Sequence, residues 1–301
     1  VIITVNDTND QPTGIEIDDN RIAENDPAGT VISVMSTIDE DETDTYTYTI
    51  SGEDAGLFQV DGDELQVGTP FNFEEKDSYT LTITSTDQGG LTVSDDFSFS
   101  VGDRNDTPTA IELTANTIEE NAEMGTFIGS LTSEDEDPEQ EGTHTYSVSG
   151  LDGSFFTIGG DNNDELVSLT PFDFETKSEY LITITTEDPN GATHDEQFVI
   201  NVTDVNDAPT GITIDNSEIV ANRPVGTVIA LLSTEDQDAA DSHTYSIKAG
   251  GDSDNFQIDG NELQTAVVID GAQSSYAITL ITTDSEGETF GDSFTITVVP
   301  N

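Results

Sequence analysis

One phrase in this chain comes back twice, and it constrains the fold more than any other feature. Asp7-Thr8-Asn9-Asp10-Gln11-Pro12 recurs as Asp103-Arg104-Asn105-Asp106-Thr107-Pro108 and as Asp204-Val205-Asn206-Asp207-Ala208-Pro209, its prolines 96 and 101 residues apart. Other landmarks keep step with it. Gly29, Gly125 and Gly226 each stand 17 residues after the proline, and Asp39-Glu40-Asp41, Asp135-Glu136-Asp137 and Asp236-Gln237-Asp238 align without a gap. A period near 100 residues with this many coincident landmarks means one domain copied in tandem. The 301 residues divide into copies at 1–102 (with a linker at 6–12 ahead of the first), 103–203 and 204–301.

Within each copy the strongest segments alternate with period two. Tyr46, Tyr48 and Ile50 are interleaved with threonines, as are Tyr79, Leu81 and Ile83, and Phe97, Phe99 and Val101 follow the same rule. The third copy repeats it as Tyr276, Ile278, Leu280 and then Phe294, Ile296, Val298. Such alternation puts apolar side chains on one face of a strand and polar ones on the other. About seven such strands per copy, separated by Gly/Asp/Asn turns, predict an antiparallel sandwich. No helical period occurs. The fold class is all-β: three tandem seven-stranded Greek-key sandwiches in an extended rod.

Charge narrows the function. Six Lys+Arg against 63 Asp+Glu give a formal net charge of −57. Such a surface repels nucleic acid and anionic lipid, whose binding needs clustered Lys and Arg. The longest apolar run, Val228–Leu232, is far short of the ~20 residues of a membrane helix, so no membrane insertion is expected. The chain starts at Val1 without a leader and reads as a piece of a longer protein. With no cysteine, disulfides and thiolate metal sites are excluded. A hard cation is then the natural means of holding small acidic modules together.

The motifs resemble those of the cadherins. Ile22-Ala23-Glu24-Asn25-Asp26-Pro27-Ala28-Gly29-Thr30 looks like the family's first-strand motif, and Phe71-Asn72-Phe73-Glu74 and Phe172-Asp173-Phe174-Glu175 look like its aromatic-flanked acidic motif. The paired aspartates resemble D-x-D, Thr86-Asp87 the later lone aspartate, and the linkers D-x-N-D-N-x-P. In its acidic, Thr- and Gly-rich style the chain is most similar to bacterial cadherin-like repeats of large surface adhesins. Two departures matter. Each linker lacks the Asn after the second Asp, which leaves a third ion per junction less well provided for, and there is no Trp, so the N-terminal Trp exchange of some vertebrate members cannot operate in this segment.

Calcium takes six to eight oxygens from carboxylates, amides, carbonyls and water, and no single short loop here supplies that many. Ligands must converge from the base of one copy, the linker and the top of the next. The first junction draws on Glu24 and Glu74 with Asn72 beside them, on Asp103, Asn105, Asp106 and the carbonyl of Arg104, and on Asp135, Asp137 and Asp188. The second draws on Glu120, Asp173 and Glu175, on Asp204, Asn206, Asp207 and the equivalent Val205, and on Asp236, Asp238 and Asp284. Two to three calcium ions per complete junction are expected, and there are two complete junctions. Asp7, Asn9, Asp10, Asp39, Asp41 and Asp87 at the top of the first copy form half a site. At the base of the third copy Ala221 stands where Glu24 and Glu120 stand, Val268 where Asp173 stands and Pro300 where the linker Asp belongs, so that end is expected to lack the chemistry.

His144 and His243, set against Asp44 of the first copy, read as exposed strand positions, and with His194 they form no motif. No nucleophile–base pair is legible, and the chain is not read as an enzyme. The expected function is a calcium-stiffened extracellular or cell-surface spacer whose partners are its own neighbouring repeats. The alternative is calcium-dependent binding of a surface or matrix polysaccharide, or of other copies of itself.

Overall fold

A computed structural model describes residue 3 and residues 8–41, 43–140 and 142–301. Every long regular element is a strand, and short 3-10 turns such as Ala55–Leu57 punctuate the loops. Among the described residues the strands form six four-stranded sheets. No helix among them is long and apolar enough to cross a membrane.

The first copy shows the plan. Its strands are β1 (Gly14–Ile17), β2 (Arg21–Ala23), β3 (Val31–Ile38), β4 (Thr47–Ser51), β5 (Phe58–Asp61), β6 (Glu64–Val67), β7 (Ser78–Thr86) and β8 (Thr92–Gly102). One sheet runs β1-β3-β6-β5 and the other β2-β8-β7-β4. These are the seven expected strands with the first cut in two. Asp18-Asp19-Asn20 makes the cut. Asp18 Oδ1 accepts Val34 N at 2.7 Å and Ser33 Oγ at 2.9 Å, and Asp19 Oδ1 accepts Arg21 N at 3.0 Å. Short acceptors bonded to nearby backbone compete with the ladder in this way. The chain then changes sheets: β1 lies antiparallel to β3, and β2 runs parallel to the end of β8.

Alternation works as read. Along β7, Tyr79, Leu81, Ile83 and Ser85 are buried while the residues between them are not. With Phe58, Leu65, Phe71 and Phe99 they fill one core. Phe58 and Phe71 pack at 5.0 Å between centroids, and Phe71 meets Tyr79 nearly edge-on at 4.8 Å. Each such side chain contributes about 1.5–3 kcal/mol by burial. Ser85, fully buried, bonds Thr37 Oγ1 at 2.7 Å, and Thr37 in turn bonds the Tyr48 hydroxyl at 2.8 Å. The third copy keeps this polar trio as Thr282, Thr234 and Tyr245, because a half-buried tyrosine needs a partner for its hydroxyl. Its core is built the same way around Leu263, Leu280 and Ile296, and there too Glu218–Val220 runs parallel to the last strand. In the middle copy Thr117–Glu119 does the same against Asn201–Thr203.

The chain divides into two compact units. One holds Val1–Glu112, Thr132–Tyr146 and Thr185–Glu196, and the other Leu113–Leu131, Ser147–Ile184 and Gln197–Asn301. Each linker, with the base beneath it and the loops above it, therefore lies inside a single unit. The first junction belongs to the first unit and the second junction to the second.

Candidate metal centre

The parallel pairing of β2 with the end of β8 sets Glu24 beside the first linker: Ala23 is level with Gly102, and Glu24 N donates to Gly102 O at 3.3 Å. Glu24 is fully buried. Its two oxygens hold two segments, Oε2 accepting Phe73 N at 2.8 Å and Oε1 accepting the N–H of Arg104. Asn25 follows in the left-handed region at φ 60°, a conformation Asn tolerates better than most residues. Its N–H bonds Phe71 O at 3.0 Å, and its Nδ2 donates to Asp106 Oδ1 at 2.9 Å.

The linker then locks onto the next copy. Asp106 N donates to Asp137 Oδ2 at 2.9 Å, and Asn105 Nδ2 to Asp188 Oδ2 at 2.8 Å. Asp135 Oδ1 takes the Asp137 N–H at 3.3 Å and its Oδ2 meets His144 Nε2 at 2.8 Å. Arg104 turns its guanidinium outward to Asp26 at 2.9 Å. The second junction repeats the geometry. Glu120, 3% exposed, accepts Phe174 N at 2.9 Å and Val205 N at 2.8 Å. Asp207 N donates to Asp238 Oδ2 at 2.7 Å, Asn206 Nδ2 to Asp284 Oδ2 at 3.1 Å, and Asn121 Nδ2 to Asp207 Oδ1 at 3.1 Å.

Carboxylates gather at both. Ligand oxygens of Glu24, Glu74 and Asp103 lie within 4.8 Å of one another, as do those of Glu74, Asp106 and Glu136; of Glu120, Glu175 and Asp204; and of Asp236, Asp241 and Asp284. At the top of the first copy Asp39, Asp44 and Asp87 form a like group, with Asp10 N on Asp41 Oδ2 at 2.7 Å and Asn9 Nδ2 on Asp87 Oδ2 at 2.9 Å. Asp7 lies outside the described residues. Asn72 and Asp173 each cap the turn they begin, accepting Glu75 N at 2.6 Å and Thr176 N at 2.7 Å.

The donor set fits a hard cation. Glu74 Oε2, Asp106 Oδ2, Asp39 Oδ2, Asp44 Oδ2 and Asp241 Oδ2 are buried oxygens with no hydrogen-bond partner, and a buried carboxylate oxygen left so is costly. Burial, chiefly, pushes the carboxyls of Glu74, Asp106, Asp137, Glu175, Asp204 and Asp207 above the ordinary range, and neighbouring carboxylates add to it. For Asp188 and Asp284 burial acts in the same direction but is outweighed. The Asn105 or Asn206 amide and the surrounding backbone N–H groups leave both carboxyls below the ordinary value.

The metal-free protein should therefore gain stability on mild acidification. Groups with a raised folded-state pKa stabilise most below their unfolded value of about 4, and that contribution is lost as pH rises through the raised value. The depressed pair Asp188 and Asp284 adds stability above about 4 and loses it only at lower pH. Without metal, the melting temperature is expected to rise as pH falls from neutral toward the unfolded value of about 4. A flat or falling temperature over that range would contradict the crowding of charge at the junctions.

Three features were not legible in the sequence reading. His144 is 9% exposed and His243 half-buried, each bonding the first aspartate of the pair, so neither is an exposed strand residue. Their counterpart is Tyr46, whose pKa is pushed up to about 12 by burial and then by the neighbouring Asp39. Two extra residues between Gln140 and His144 hid that equivalence in the second copy, while in the third His243 keeps the spacing of Tyr46. Asp44, Gln140 and Asp241 were missed although each stands five residues after the first aspartate. So was Asn25, with its equivalent Asn121, although the Glu-Asn pair repeats in the sequence. At the base of the third copy Ala221 is buried, with its N–H on Val299 O at 2.9 Å, and among the described residues no acidic trio forms there.

Comparison with known proteins places these motifs. The sequence pattern of the cadherin domain matches residues 19–101 and 115–203. Human protocadherin Fat 4 is 28% identical over 274 residues, covering 87% of this chain and 6% of its own length. Human protocadherin gamma-A1 is 32% identical over 149 residues, covering 47% of this chain and 16% of its own. The chain thus spans a small part of these relatives. Among solved structures, mouse cadherin-23 EC22-24 superposes with a TM-score of 0.68 at 21% identity, over 95% of this chain and 99% of that one. Extracellular domains 3-6 of protocadherin gamma B2 give 0.68 at 23% identity, over 95% and 73%. These relatives lend no support to a bacterial origin.

Proposed function

The chain belongs to the cadherin family, and from that premise we propose that its copies, at 1–102, 103–203 and 204–301, are joined by calcium into a stiff extracellular spacer or adhesion rod. The domain family is one of structural and adhesion modules. The observation that carries the reading is the set of buried, unpartnered carboxylate oxygens at the places where one copy meets the linker and the next. A bound calcium supplies two positive charges and a shell of six to eight oxygens.

The chain's own residues do the rest. In the first junction Glu24, Glu74, Asp103 and Asp106 would hold an ion from below and from the linker, with Asp135, Asp137 and Asp188 holding from above. In the second, Glu120, Glu175, Asp204, Asp207, Asp236, Asp238 and Asp284 would act alike. Two to three ions per junction suit that count. Glu24 and Glu120 orient the linker by gripping the N–H groups of Arg104 and Val205, so ligands from both copies are preset. Without a cation, crowded carboxylates repel and the joint loosens. With one, hinge entropy is lost and binding energy offsets it.

Small-angle scattering in calcium and in chelator tests the mechanical part. A broad distribution of distances in chelator should narrow and lengthen in calcium. Identical distributions would refute stiffening.

A further inference from the structure

The two junctions carry one carboxylate in different places. The turn that follows Phe71 offers the neutral Asn72 at the first junction, where the second has Asp173. Between the paired aspartates the order is reversed, with Glu136 at the first junction and the neutral Gln237 at the second. Asn72 and Asp173 cap their turns through the same atom, Oδ1. They differ in the other one. Asn72 Nδ2 donates to Glu136 Oε2 at 2.6 Å, so the amide that lacks the charge is tied to the side chain that has it.

Glu136 also brings an oxygen within 4.8 Å of oxygens of Glu74 and Asp106. Those two residues carry the orphaned atoms of this site, Glu74 Oε2 and Asp106 Oδ2. At the second junction the corresponding oxygen already has a partner, since Gln237 Nε2 donates to Asp207 Oδ2 at 3.2 Å. We propose that Glu136, reaching across from the second copy, supplies the carboxylate that the first junction's lower cation site lacks at Asn72 and that Asp173 supplies at the second. The assignment rests on the calcium reading above and deepens it. At the first junction that site is then closed by a ligand from each copy; at the second it is closed from the base and linker.

Calcium titrations of the full chain test this. They are followed at the amides of Phe73 and Arg104 for the first junction and of Phe174 and Val205 for the second. Glu136 is exposed, so E136Q leaves the fold intact. It should weaken the first junction about tenfold, since affinity follows the number of charged ligands, and leave the second unchanged. N72D/E136Q, which moves the carboxylate to the place it has at the second junction, should restore first-junction affinity. An E136Q titration equal to the unmodified one, or a double variant as weak as E136Q, would overturn the proposal while second-junction binding stands. No saturable response at either junction of the unmodified chain would overturn the calcium reading itself, and this inference with it.

Discussion

Glu120→Gln is expected to cost the second junction about a hundredfold or more in calcium affinity and to leave the first at its normal strength. Substitutions that only support a metal ligand already cost about 10–100-fold, and Glu120 does more than support. It is almost fully buried, and one of its oxygens sits within 4.8 Å of an oxygen of Glu175 and one of Asp204. Each of its oxygens accepts a backbone N–H, from Phe174 at 2.9 Å and from Val205 at 2.8 Å. A glutamine removes the charge and sets an NH2 against one of those two N–H groups. The ligand is lost and the linker is misplaced at the same stroke. Titration followed at the Phe174 and Val205 amides reads the effect, with those of Phe73 and Arg104, which depend on Glu24, as the internal control. Glu16→Gln, on the exposed edge of β1, should change neither junction. Equal losses from both substitutions would mean diffuse counterions.

The repeat and the period-two pattern made the sandwich readable, because both follow from burying one face of every strand. The cut in the first strand was not readable. It depends on a short side-chain oxygen, that of Asp18, Thr114 or Asp215, accepting the N–H of Val34, Ser130 or Leu231, a role that Asp and Thr share without sharing a motif. Candidate ligands lying on a fixed offset from the linker proline were legible, and Glu24, Asp106 and Asp137 fall close together in the structure. Those that act by compensation were not. Glu136 matters only beside Asn72, and Gln237 only beside Asp173, and no single motif contains either pair. His144 was misplaced because a loop two residues longer shifted it out of register with Tyr46, whereas His243, seven residues after Asp236 as Tyr46 is after Asp39, keeps the register that reveals the match.

The largest change expected for the chain as a whole is thermal. Sites of the extracellular kind bind calcium at about 10⁻⁴–10⁻³ M. At about 10 mM calcium each would add roughly 1.4–2.7 kcal/mol by mass action. Summed over the ions of two junctions, and with about 2–4 °C per kcal/mol at this size, the melting temperature should rise by at least about 10 °C. Magnesium demands a tight octahedron and sheds its waters reluctantly. It can screen the −57 charge but not fill a shell of converging carboxylates. Differential scanning calorimetry in calcium, in equal magnesium and in chelator is the most direct test. Calcium raising the transition by about 10 °C or more, with magnesium close to chelator, is the expected result. Equal shifts from the two ions would mean screening alone, and the junctions would not be calcium sites.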